Sequence, residues 1–198
     1  MGYSNFKHIK IVVKTFDLEL TMVRLFEEII PQPPSDWLLQ TLSMTEFLPP
    51  TNEKSKSERL ISPILTEVVQ AYKGSVTFFS GENIDIDSQM GLSGPCDFLF
   101  SLQAPKPYFE APIIALAEAK DEDMDWGIAQ CAAQVYGAKM YNDREDRKIP
   151  VLYGCATDGI EWHFMRLKDQ LIELDTKIYT DLNQVLGIWK QIIEYYLD

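Results

Sequence analysis

The chain has 198 residues, 46% of them hydrophobic and 12% aromatic, which supports one compact domain and excludes a wholly disordered chain. Its formal charge of −12 excludes a broadly basic surface of the kind that gives tight, non-specific nucleic-acid binding. No apolar run reaches the length of a membrane span and residues 1–8 lack a signal-peptide core, so the expectation is a cytoplasmic protein with no membrane partner.

In chain order, Ile9 to Val13 predicts a short strand, and Leu18 to Ile30 predicts an amphipathic helix on the spacing of Leu20, Val23, Leu25, Phe26 and Ile29. Pro31, Pro33 and Pro34 stop that helix, and Ser35 caps a second one running from Asp36 to about Phe47. The polar run from Pro49 to Lys56 is the predicted linker. It divides a strand and helical extension, residues 1–50, from a main domain, residues 51–198.

The main domain opens with a helix from Ser57 to Tyr72, whose Ile61, Ile64, Leu65, Val68 and Tyr72 form a buried stripe, with Gly74 as its stop. Glu67 borders the stripe. Ser75 to Ser80 predicts a first strand, and a turn with a short segment at Asn83 to Asp87 leads to a second strand around Asp97. After a third strand ending near Lys120, the acidic run Asp121, Glu122, Asp123 and Asp125 sits where carboxylates favour a helix N-terminus. Trp126 to Tyr141 is that helix. Ile149 to Ala156, Gly159 to Leu167 and Leu171 to Leu174 predict three more strands, with Asp158-Gly159 in a tight turn, and Asp181 caps a last helix reaching Tyr196.

The residues with chemical potential are few. Cys96, Cys131 and Cys155 stand singly, without metal-ligand spacing, and read as buried small hydrophobes. His8 and His163 are the only histidines, and no nucleophile elbow, Walker loop or dinucleotide-binding glycine motif is present.

The informative stretch is Gly94-Pro95-Cys96-Asp97-Phe98-Leu99-Phe100 followed by Ile113-Ile114-Ala115-Leu116-Ala117-Glu118-Ala119-Lys120. The proline-bearing segment between them, Gln103 to Ala111, reads as a hairpin loop. Antiparallel pairing about Pro107 and Tyr108 sets Asp97 opposite position 117 or 118, so that Asp97 and Glu118 become cross-strand neighbours. Lys120 follows on the face of Glu118, because strand side chains alternate. Two carboxylates and an ammonium among Phe, Leu, Ile and Ala are costly to desolvate, and a divalent cation would balance them.

Asp followed across a hairpin by Glu-X-Lys resembles the signature of the PD-(D/E)XK nuclease superfamily. The resemblance covers roughly residues 57 to 168, and the predicted order of helix, three strands, helix and strand agrees with it. It implies an α/β restriction-endonuclease-like core, a central mixed sheet flanked by helices, with the N-terminal extension and a C-terminal helix added. It implies that Asp97 and Glu118 hold Mg2+ or Mn2+ with the Ala119 carbonyl as a further ligand, while Lys120 orients or activates the attacking water. Glu67 would match the acid that some members carry on the first core helix. Gln130 or Gln134 would match the glutamine of RecB-like members, with Gln130 taken as the catalytic one, although the Gln-X-X-X-Tyr spacing is not reproduced: Gln130 is followed by Gln134, and Gln134 by Ala138.

The expected activity is therefore metal-assisted hydrolysis of phosphodiester bonds in nucleic acid, DNA first, with weak binding by the protein alone. Two alternatives stand beside it: a nuclease-fold binding or regulatory protein working with a protein partner, and a metal-dependent enzyme of another phosphodiester or nucleotide. A homodimer is a further open expectation. A basic rim built from Lys54, Lys56, Arg59, Lys106 or Lys139 would favour nucleic acid, and an acidic rim the alternatives.

Overall fold

The computed structural model of the chain describes residues 2–121 and 123–197, so Glu122 of the acidic run lies outside the described residues. The fold is mixed α/β. Seven strands form one sheet: β1 (Glu19–Val23), β2 (Thr77–Asn83), β3 (Pro95–Ser101), β4 (Ile113–Ala119), β5 (Val151–Thr157), β6 (Trp162–Lys168) and β7 (Leu171–Asp175), in the spatial order β1-β7-β6-β5-β4-β3-β2. Pairing is parallel for β1 with β7 and for β4 with β5, and antiparallel elsewhere.

Helices cover both faces. On one side lie α2 (Asp36–Ser43), the continuous run of α3 (Glu53–Lys56), a π turn (Ser57–Ile61) and α4 (Ser62–Gln70), and α6 (Leu182–Glu194), burying Leu38, Leu65, Ile188 and Trp189 against Phe98, Phe100 and Phe164. On the other side α1 (Ile9–Thr15) and the long α5 (Met124–Arg144) bury Val12, Phe16, Cys131 and Val135 against Leu99, Leu116 and Leu152. Strands β4 and β5 are buried along their whole length, as a central pair covered on both faces must be. The three cysteines are free and buried, and no helix among the described residues is long and apolar enough to cross a membrane.

Several predicted elements form where the sequence places them. Ser35 caps α2 by accepting the Leu38 amide at 3.2 Å, Asp181 caps α6 by accepting the Gln184 amide at 3.1 Å, and the β5–β6 turn closes on Asp158 with Gly159 at a φ of 89°. Residues 9–30 reverse the expectation. Ile9–Thr15 is a helix rather than a strand, because only Val12 and then Phe16, one turn on, need burial, and the Phe16 ring stacks at 4.6 Å on Tyr136 of α5. The predicted helix Leu18–Ile30 is instead the edge strand β1 followed by a loop, whose Phe26 reaches the core beside Tyr153, Phe164 and Tyr179. Edge strands bury little, so β1 lacks a clear two-residue alternation and the scattered apolar residues mimic a helical stripe. Extension and main domain thus share one sheet, and the predicted linker 49–56 contains α3, begun by a capping box between Asn52 and Ser55.

Candidate functional site

The β3–β4 hairpin forms as predicted. Its ladder pairs Phe98 with Ala117 and Leu99 with Leu116, a register that carries Asp97 opposite Glu118. The loop is held by Gln103, whose side-chain nitrogen donates to the Tyr108 carbonyl at 3.0 Å, and by Asn142 of α5, which both accepts from and donates to the backbone of Ile113. These bonds fix the entry of β4 and with it the position of Glu118.

At the C-terminal end of β4 the two carboxylates and Lys120 meet. Asp97 Oδ2 accepts the Ala119 amide at 2.8 Å, and Lys120 Nζ stands 3.0 Å from Glu118 Oε1. Glu118 Oε2 accepts from Gln134 Nε2 at 2.7 Å. Glu118 is 1% exposed, so this ion pair lies in the protein rather than on it. Asp97 and Ala119 line a cleft of about 290 Å³ together with Glu53, Lys54, Ser57, Glu58, Ser80 and Gly81.

Electrostatics set the protonation. Burial pushes the Glu118 carboxyl up to about 8, and the adjacent Asp97 adds to the rise. Asp97 is also raised by burial, against the Ala119 amide and Lys120, which hold it down. Burial pulls the Lys120 ammonium down, but Glu118, Glu53 and Asp97 outweigh it, and the net shift is upward. The surrounding carboxylates therefore favour the ammonium form of Lys120.

Two features seat that cation. Trp126, on the first turn of α5, holds its indole centroid 5.1 Å from Lys120 Nζ, and Gly127 beside it leaves room for the lysine stem. A Cβ at Gly127 would lie 2.5 Å from Lys120 Cγ, the middle of the side chain rather than its mobile end. Gly127→Ala is expected to swing the ammonium away from Glu118 and lower any Lys120-dependent rate by tenfold or more (roughly the loss from a misplacement of about 1 Å), with secondary structure kept by circular dichroism; an unchanged rate would show that the stem relaxes freely.

Two expectations about neighbouring residues change. Glu67 does not line the cleft: its carboxylate accepts the Ser35 amide and hydroxyl, both at 2.8 Å, and buttresses the start of α2. Glu67→Ala should cost about 1 kcal/mol, the scale of a lost helix cap, and leave metal binding and cleavage at the wild-type level; a loss of either would return Glu67 to the site. The acidic residue that the composite helix does bring in is Glu53, whose Oε2 is 3.4 Å from Lys120 Nζ. Its sequence signal, Asn52 followed by Ser55 at capping-box spacing, lay inside the run read as linker. Of the two glutamines, Gln134 reaches Glu118, whereas Gln130 is buried one turn earlier with its side-chain oxygen unpartnered among the described residues.

Glu53, Asp97 and Glu118 face one ammonium, so full ionisation leaves two negative charges uncompensated locally. Among the described residues no group of three or more His, Cys, Asp or Glu side chains is placed so as to hold a metal ion. Carboxylates are the donor type that Mg2+ takes; Asp97 lines the cleft, whereas Glu118 is buried with its oxygens engaged by Lys120 and Gln134. Comparison with protein-family models and with curated proteins finds no match to the chain.

Proposed function

We propose that the chain is a metal-dependent phosphodiester hydrolase of the PD-(D/E)XK nuclease type, acting on nucleic acid through a restriction-endonuclease-like core. The observation that carries the reading is the meeting of Asp97, Glu118 and Lys120 at the end of one hairpin, in the register that the motif requires. The seven-stranded mixed sheet with helices on both faces agrees with it.

In this reading Asp97 and Glu118 would hold Mg2+ or Mn2+, with the Ala119 carbonyl as a further ligand, and the cation would supply Lewis-acid polarisation of the phosphate and a water of lowered pKa. Gln134 keeps the Glu118 carboxylate turned, one oxygen to the amide and the other toward Lys120. Lys120, whose protonated form the neighbouring carboxylates favour, orients the attacking water and offsets the negative charge that grows on the phosphate as the P–O bond breaks. Glu53, the most exposed of the three acids around the ammonium, limits where Lys120 can swing.

One observation favours the second reading, a nuclease-like protein that binds or regulates with a partner. The cations nominated for a basic rim are engaged: Lys54 with Glu58, Lys56 with Asp121 and Asp158, Lys106 with Glu110, Lys139 with Asp143, and Arg59 with the Leu48 carbonyl. The experiment that separates the readings is incubation of purified protein with circular, linear and single-stranded DNA and with RNA, with and without Mg2+ or Mn2+. Cleavage only with metal supports hydrolysis; binding without cleavage of any substrate supports the second reading.

A further inference from the structure

Lysines without an ion pair among the described residues include three in the N-terminal segment. Between residues 1 and 16 there is no acidic residue, while Lys7, Lys10 and Lys14 are all exposed and make no ion pair among the described residues. In a chain of net charge −12 this is a marked local reversal. Lys10 and Lys14 stand one turn apart on α1, away from the Val12 and Phe16 side that packs on α5. Lys7 lies over the indole of Trp126 at 5.2 Å from its centroid, and the same ring carries Lys120 at 5.1 Å. The ammonium groups of Lys7 and Lys120 are therefore no more than about 10 Å apart. The Trp126 indole nitrogen donates to the Ser4 carbonyl at 3.1 Å, which ties this segment to the first turn of α5.

We infer that Lys7, Lys10 and Lys14 form a track for the phosphate backbone of a single nucleic-acid strand, leading across Trp126 to the Asp97–Glu118–Lys120 centre. This rests on the proposed function for what lies at its end, but its own chemistry is phosphate binding. A single row of unpaired ammonium groups fits one backbone, and each ammonium that neutralises a phosphate adds to the salt dependence of binding.

The test is fluorescence anisotropy of a labelled 20-nucleotide single-stranded DNA, titrated with the full chain in EDTA across a salt series. The triple substitution Lys7→Gln, Lys10→Gln and Lys14→Gln should raise Kd by tenfold or more and lower the slope of log K against log salt by about 2, near 0.7 per phosphate contact. The triple substitution Lys106→Gln, Lys139→Gln and Lys190→Gln removes the same charge from lysines already paired with Glu110, Asp143 and Glu194, and should leave both quantities within twofold. Wild-type binding by the first variant, equal weakening by both, or preference for anionic lipid vesicles over the strand would overturn the track. Lysine-dependent binding by a protein that cleaves nothing with Mg2+ or Mn2+ would keep the track and sink hydrolysis. Metal-dependent cleavage that the first triple leaves untouched, along with binding, would do the reverse.

Discussion

Glu118→Gln and Lys120→Ala are each expected to lower metal-dependent cleavage by at least about a hundredfold, the scale at which one transition-state charge stabiliser is lost. Their effects should then part. Glu118→Gln removes a carboxylate proposed to meet the cation and should weaken Mn2+ binding, while Lys120→Ala removes only the ammonium and should spare it. Lys120→Ala also leaves the 1%-exposed Glu118 without its ion-pair partner, so the midpoint of the acid limb in the pH–rate profile should move up. Single-turnover rates on one substrate, with Mn2+ titrations beside them, measure both. Equal trace cleavage by wild type and both variants would mark that trace as contamination and leave the binding or regulatory reading.

Metal and pH should act on stability through the same carboxylates. The folded Glu118 carboxyl titrates at about 8, above its ordinary value of 4.5, so between those pH values the folded protein binds a proton that the unfolded chain has released. Stability without metal is therefore fully present below about pH 4.5 as far as this group is concerned, and declines as pH rises through 8, by a few kcal/mol at most on the scale of about 1.4 kcal/mol per pKa unit. A cation bound to the folded state replaces that proton, so millimolar Mg2+ or Mn2+ should raise Tm more at pH 8.5 than at pH 6. Asp97→Asn removes the carboxylate that helps push Glu118 up, and should flatten the pH dependence and abolish most of the metal effect. Thermal melts at the two pH values, with and without metal, check this. A metal effect that is absent, or that is larger at pH 6, would contradict it.

The heart of the site was legible because a hairpin is local. Two buried strands with a proline-bearing loop admit little freedom of register, and Asp97, Glu118 and Lys120 follow from that register by strand alternation. What the sequence hid depends on packing between distant elements. Glu53 reaches Lys120 only because a capping box starts α3 inside a polar run and a π turn joins it to α4. Gln130 and Gln134 share a helix face one turn apart, and only the height of α5 over β4 decides that Gln134 meets Glu118. The β-branched run Ile11-Val12-Val13 reads as a strand in isolation, yet becomes helical on the apolar side of α5. That misreading also hid Lys10 and Lys14, one turn apart on the exposed side of α1.

The proposed sharing of one divalent cation by Asp97 and Glu118 beside Lys120 is tested by the anomalous scattering of Mn2+ in crystals of the protein. A single strong peak is expected at about 2.0 to 2.6 Å from an oxygen of each carboxylate, lost in Asp97→Asn, with Lys120 Nζ outside the coordination shell. A peak seated elsewhere, or carboxylates that remain bridged by a proton at saturating Mn2+, would contradict it.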